Sequence, residues 1–158
     1  MALRKIVVEG DPVLRKICRP VEKFDARLHM LLDDMADTMY EAEGVGLAAP
    51  QVAILRRVVV IDIGDENGLI EMINPKIIYD SREQICDAEG CLSVPGERGL
   101  VSRPKKVVCE YFDRNGEKKE ITGEDFLARA ICHELDHLDG RLYIDIAERM
   151  LEDDEDED

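Results

Sequence analysis

Apolar side chains recur at steps of three and four residues in two parts of the chain, which is the spacing of a helix with one buried face. The first stripe consists of Leu28, Leu31, Leu32, Met35 and Met39. Asp25 precedes it as an N-cap residue, and Gly44 stands where a C-cap would end the helix. The second stripe consists of Phe126, Leu127, Ala130, Ile131 and Leu138. Thr122 would cap this second helix, with Asp125 three residues on, and Gly140 would end it.

Runs of β-branched residues predict two hairpins between these helices. Residues 57–63 and 69–73 flank a turn of glycine, asparagine and acidic residues, and residues 106–113 and 118–121 are joined through Asn115-Gly116. Residues 3–8 predict a further short strand, whereas residues 89–104, rich in glycine and proline, predict coil. Strands grouped around two separate helices place the chain in the α+β class, with small antiparallel or mixed β-sheets.

Composition and charge narrow the classes of function. The chain has 158 residues and 17.9 kDa, the size of one domain. Its 36 acidic and 21 basic residues give a net charge of −15, so it lacks the positive field that DNA or an anionic membrane would require of a partner. No stretch has the roughly 20 apolar residues of a membrane helix, and the N-terminus lacks a signal-peptide core. We therefore expect a cytoplasmic protein.

Charge separates the C-terminal end from the rest of the chain, and the cysteine count indicates the state of the thiols. Residues 152–158 are consecutive acids that repel one another and bury nothing, so we expect a disordered tail after a single domain over residues 1–151. The cysteines number five, an odd count without close spacing. In a reducing compartment this pattern indicates thiols or metal ligands rather than disulfides.

The strongest chemical signal lies on the second predicted helix. His133 and His137 are four residues apart, so both imidazoles lie on one face of the helix and can bind one metal ion. Glu134 lies roughly 100° round the helix from His133 and can reach a water on that metal, which suits a general base. Two surface histidines would show the same spacing, so a third ligand decides between these interpretations.

Cys91 is the better candidate for the third ligand. His29 is the remaining histidine, and its place on the polar side of the first helix predicts an exposed side chain. A thiolate binds borderline metals strongly, and Gly90 before it lets the backbone approach a ligand. A buried cysteine that acts only as a small apolar residue is the alternative. A metal-dependent amide hydrolase, an HExxH metalloprotease and a structural metal or peptide-binding module all remain open at this point.

Three segments together resemble the signature motifs of the peptide deformylase family, in the order in which the family has them. They are residues 44–51 (Gly-Val-Gly-Leu-Ala-Ala-Pro-Gln), residues 89–93 (Glu-Gly-Cys-Leu-Ser) and residues 133–138 (His-Glu-Leu-Asp-His-Leu). The resemblance implies a single catalytic domain with small sheets packed around a central metal-binding helix. It also implies a hydrolase that removes the N-formyl group from the N-terminal methionine of newly synthesised proteins and releases formate.

The same resemblance assigns roles to individual residues. The implied metal ligands are Cys91, His133 and His137, with water in the fourth position. The implied ion is Fe2+, with Zn2+, Ni2+ or Co2+ as substitutes. Glu134 would act as general base and acid, while the Gln51 amide and the Leu92 backbone N–H would meet the charge that develops on the formyl oxygen.

The implied substrate is an N-formyl-methionyl nascent peptide that lies in a cleft as an added strand. The cleft positions that match the family are Val45, Gly46, Glu89, Gly90 and Arg98. Any transient contact with the ribosome would not use the acidic tail, because the charge of that tail repels RNA.

Overall fold

The computed structural model describes residues 2–152, so residues 153–158 of the predicted tail lie outside the described residues. The α-helices are α1 (Ala26–Glu41) and α2 (Phe126–Leu138). The strands are β1 (Gly46–Ala48), β2 (Val58–Ile61), β3 (Ile70–Asp80), β4 (Gln84–Cys91), β5 (Val94–Pro104), β6 (Lys106–Phe112), β7 (Lys118–Glu124) and β8 (Arg149–Met150). Short 3-10 helices span Pro12–Arg15, Ala49–Val52 and Tyr143–Asp145. None of the helices in this part of the chain has the length and apolar character needed to cross a membrane.

The strands form two sheets in which all paired strands run antiparallel. The larger sheet has the order β1-β2-β3-β6-β7, and the smaller has the order β4-β5-β8. Both predicted hairpins are confirmed, because β2 pairs with β3 and β6 pairs with β7. The predicted α+β class is confirmed as well.

Strand β2 of the larger sheet is buried on both faces because it lies between the two helices. Along β2, Val59 and Ile61 belong to the core on the α2 side, whereas Val58 and Val60 belong to the core on the α1 side. This alternation follows from the two-residue repeat of a strand. Helix α2 also contacts β5 of the smaller sheet, so it lies between the two sheets as the central helix.

The prediction of coil for residues 89–104 is wrong. The end of β4 and all of β5 occupy this segment, and the two strands pair from Gln84 and Pro104 down to Cys91 and Val94. Glycine serves close packing here, because a Cβ at Gly99 would lie 2.9 Å from a sulfur atom of β8. Composition predicted coil because the residues that pack on Gly99 are distant from it in sequence.

The predicted start of the second helix is also wrong. Thr122 pairs with Val108 inside β7, which continues to Glu124, so α2 begins only after Asp125. Pairing with β6 therefore overrides the local capping pattern.

Of the two predictions for the N-terminal part of the chain, one is confirmed and one is wrong. Asp25 caps α1 as predicted, because its carboxylate accepts the Leu28 N–H at 3.1 Å. Residues 3–8 form no strand. Their backbone instead holds two segments that carry predicted site residues. The Val7 N–H donates to the Gln51 carbonyl at 2.8 Å, and the Glu9 N–H just beyond them donates to the Ser93 carbonyl, next to Leu92, at 2.7 Å.

Candidate metal centre

The side chains predicted as metal ligands meet between β4 and α2. Cys91 is the last residue of β4, and His133 and His137 lie one turn apart on α2. Their ligand atoms are all within 4.8 Å of one another, and Cys91 Sγ lies 3.4 Å from His137 Nε2. Both histidines are buried and Cys91 is half-buried. One ion could therefore contact all three side chains.

This group of donors fits a divalent metal ion of borderline softness. Zinc and ferrous iron both accept thiolate and imidazole ligands, and three protein ligands leave a position open for water or substrate. Glu134 Oε1 is buried and has no hydrogen-bond partner in the described part of the chain, as expected of an atom that faces a bound ligand. His29 does not join the group, because it is half-buried on α1 with Nε2 at 2.7 Å from the Arg114 carbonyl oxygen.

The Glu134 carboxylate is buried on α2 and packs against Gly46 of β1. A Cβ at residue 46 would overlap Glu134 Oε2, so this contact requires glycine. Burial raises the pKa of Glu134 to about 7. A carboxyl group with a pKa near neutrality can both take up and return a proton.

Gln51 is held so that its amide nitrogen faces the ligand group. In the 3-10 helix after β1, its Oε1 accepts the Ala48 N–H at 2.9 Å, while its Nε2 donates to Ser93 Oγ at 3.0 Å and lies 3.6 Å from Cys91 Sγ. Leu92 stands in the turn between β4 and β5, directly after Cys91. Both predicted oxyanion partners therefore lie next to the thiol.

The side chain of Glu89 is committed to the interior. Its carboxylate accepts hydrogen bonds from His133 Nδ1 at 2.8 Å, from Arg103 at 2.8 and 3.0 Å, and from Arg129 at 2.7 Å. Burial alone would raise the pKa of Glu89, but the hydrogen bonds from His133 and Arg103 lower it to about 2. The carboxylate is therefore charged and orients His133. A contact between Glu89 and a substrate would have to use its backbone.

Sequence reasoning missed Arg103 and Arg129, which are both buried. For Arg129 there was one signal: a charged residue inside the apolar stripe of the second helix, one turn before His133. Nothing in the sequence marks Arg103, because its partners Glu89 and Asp136 lie on other elements.

A cavity of about 660 Å3 opens beside the candidate ligands. The segment before β1, the β4–β5 hairpin and the first turns of α2 form its walls. The predicted substrate-binding residues all line it, namely Val45, Gly46, Glu89, Gly90 and Arg98. Apolar lining comes from Val94, Phe126 and Ala130, which sequence reasoning did not assign to the site.

Comparison with known proteins identifies the family. The family model for polypeptide deformylase matches residues 3–152. The chain belongs to the peptide deformylase family. The peptide deformylase of Thermoanaerobacter pseudethanolicus is 55% identical over 157 residues, which cover 99% of this chain and 97% of that protein. The peptide deformylase of Agathobacter rectalis is 58% identical over 153 residues, which cover 97% of this chain and 95% of that protein.

Solved structures of peptide deformylases share the fold. The crystal structure of the Thermotoga maritima peptide deformylase has a TM-score of 0.90 at 44% identity, covering 93% of this chain and 99% of that chain. An Acinetobacter baumannii peptide deformylase of class I type b has a TM-score of 0.89 at 38% identity, covering 92% of this chain and 99% of that chain. The chain is thus a hydrolase of the metal-dependent peptide deformylase family, which removes the N-formyl group from nascent peptides. The predicted family and reaction are confirmed, in preference to the metalloprotease and binding-module alternatives.

Proposed function

We propose that Cys91, His133 and His137 hold one Fe2+ ion, and that this centre deformylates N-formyl-methionyl nascent peptides. The observation that carries the proposal is the approach of the three ligand atoms to within 4.8 Å, with the Glu134 carboxylate buried beside them. A divalent ion held there would polarise the formyl group and supply a nucleophilic water near neutral pH. Zn2+, Ni2+ and Co2+ suit the same ligands, so the choice of iron rests on the family.

Glu134 is the residue that moves protons in this proposal. Its Oε1 has no partner among the described residues, and it is held against Gly46 at the wall of the cavity. It takes a proton from the attacking water as the C–O bond forms at the formyl carbon. It then delivers that proton to the leaving nitrogen as the C–N bond breaks, which releases formate and a free amino terminus.

Gln51 and Leu92 stabilise the charge that develops on the formyl oxygen. The Gln51 amide is oriented by its contacts with Ala48 and Ser93, so it needs no reorganisation when the charge appears. The Leu92 backbone N–H comes from the turn that directly follows Cys91, so both donors stand near one ligand.

The peptide would bind in the 660 Å3 cavity as an extended strand. Both β1 and β4 are edge strands of the described sheets, and an extended peptide gains main-chain hydrogen bonds at such edges. Val45 and Gly46 would contact it from one wall, and Gly90, Arg98 and the Glu89 backbone from the other.

We further propose that residues 1–151 form the single catalytic unit and that it works in the cytoplasm, where nascent chains emerge. A net charge of −15 argues against DNA or an anionic membrane as a partner. Contact with the ribosome would be transient and would avoid the acidic residues 152–158, because their charge repels RNA.

Formate release from a formyl-Met-Ala-Ser peptide tests the proposed roles. Protein purified without oxygen should release formate, and metal analysis of the same sample should find about one Fe2+ for each chain. Glu134→Gln should keep the metal and lose about 100-fold to 10,000-fold in kcat, because it keeps the shape of the side chain but cannot take a proton. His133→Ala should lose the metal. A fully active Glu134→Gln, or a His133→Ala that retains the ion, would overturn the assignment.

A further inference from the structure

We propose that Arg129 is a positioning residue for the candidate metal centre. It holds Glu89 and the β4–β5 hairpin against α2, so that His133 and Cys91 stay at metal-binding distance. The inference rests on the proposed metal ligands, and it adds a residue that is not itself one of them.

One side chain of α2 ties both strands of the hairpin. Arg129 is 6% exposed, and its guanidinium donates to the Ile85 carbonyl of β4 at 2.7 Å and to the Val101 carbonyl of β5 at 2.8 Å. It also donates to Glu89 Oε2 at 2.7 Å. A planar guanidinium can satisfy several acceptors in fixed directions, which a lysine ammonium does not reproduce. The position of the hairpin on the helix is therefore set here.

The same carboxylate links Arg129 to the metal ligands. Arg129 and His133 are one turn apart on α2, and they bind opposite oxygens of Glu89, Oε2 and Oε1. Donation from His133 Nδ1 to Glu89 leaves the Nε2 lone pair for a metal ion. Glu89 lies two residues before Cys91 on β4. Arg129 thus controls both the ring orientation of His133 and the distance from α2 to Cys91.

Arg103 does not make Arg129 redundant. Arg103 divides its donors between Glu89 and Asp136, so the two arginines and two acids balance in charge. Without Arg129, the buried Glu89 Oε2 would keep one donor, and the Ile85 and Val101 carbonyls would each lose one donor. Removing one partner of a buried ion pair is strongly destabilising, because it leaves a buried charge that is not compensated.

Zinc affinity in the folded, metal-free protein tests the inference. We expect Arg129→Met to bind Zn2+ about 10- to 100-fold more weakly than the unsubstituted chain in a chelator competition, the loss typical of residues that orient metal ligands. Arg114→Met is the matched control. Arg114 also donates to two carboxylates, to Glu71 at 2.8 and 2.5 Å and to Asp33 at 2.8 Å, but it lies in the turn between β6 and β7 and does not line the cavity. It should lose stability and keep its zinc affinity.

A second readout separates positioning from bulk stability. In NMR spectra, the His133 Nδ1–H signal should exchange with solvent faster in Arg129→Met than in Arg114→Met, because Glu89 is less firmly held. If Arg129→Met and Arg114→Met bind zinc with affinities equal within twofold, the proposal is overturned. If Arg129→Met fails to fold, Arg129→Lys is measured in the same way with the same criterion. Zinc binding that survives His133→Ala would instead defeat the proposed ligands, whatever Arg129 does.

Discussion

At the scale of single residues, the site is built from side chains that each have a fixed contact. Glu134 stands against Gly46, and Gln51 bonds to Ser93 and the Ala48 backbone. Glu89 has donors on both of its oxygens. Because protein interiors are closely packed, a change of one methyl group at such a contact must move a neighbour. The proposed roles therefore depend on neighbours that have no chemical function of their own.

Gly46→Ala should lower activity through Glu134. The new methyl group would overlap Glu134 Oε2 and push the carboxylate from its position, and a misplacement of about 1 Å can cost about 100-fold in rate. We expect kcat for formate release to fall at least about tenfold. Gly64→Ala, in a turn with φ of +81° and open space, should cost about 1 kcal/mol of stability and leave kcat unchanged. A fully active Gly46→Ala would show that this contact does not position Glu134.

Sequence reasoning reached the residues of the site that lie in contiguous motifs. The spacing of His133 and His137 on a helix, and Cys91 beside a glycine, are local features, and the structure brings these side chains together. Their roles remain predictions. The arginines around Glu89 were missed because their contacts join β4, β5 and α2. A pattern within one segment of the sequence cannot indicate a contact between three separate elements.

At the scale of elements, local patterns predicted both helices and two of the hairpins, and contacts between elements decided the rest. The stripes of α1 and α2 repeat within one segment, and each hairpin joins neighbours in sequence. The β4–β5 hairpin was missed because its glycines and prolines are typical of coil, and because Gly99 packs against β8 and Tyr143, which lie far from it in sequence. Thr122 was misplaced because pairing with β6 extends β7 past it.

The two helix starts should respond oppositely to substitution. Asp25→Ala removes the hydrogen bond to the Leu28 N–H and should cost about 1 kcal/mol of unfolding free energy. Asp125 makes no side-chain capping bond and has φ of 55° and ψ of −118°, a conformation that favours glycine. Asp125→Gly should therefore raise the free energy of unfolding, by up to about 1 kcal/mol. Urea unfolding measures both, and a destabilised Asp125→Gly would contradict the strain argument.

At the scale of the whole molecule, the core contains thiols that stay protonated because they are buried. Burial raises the pKa of Cys109 to about 12 and that of Cys18 to about 11, with Arg57 opposing the shift at Cys18. Both lie in the core between α2 and the larger sheet, which also holds the predicted metal-binding helix in place. Stability of that core is therefore linked to pH.

The free energy of unfolding should fall above pH 9. The unfolded thiol ionises near its ordinary pKa of 9.0, whereas folded Cys109 stays neutral until about pH 12, so the folded state binds more protons in this interval. The stabilisation is complete below pH 9 and declines as pH rises, by about 1 kcal/mol for each pH unit from one such thiol. Cys109→Ala should reduce this decline between pH 8 and pH 11 in urea unfolding. Val107 lies in the same core and has no titrating group, so Val107→Ala should lower stability equally at both pH values. If the decline with pH is unchanged in Cys109→Ala, the thiol titrates alike in the folded and unfolded states.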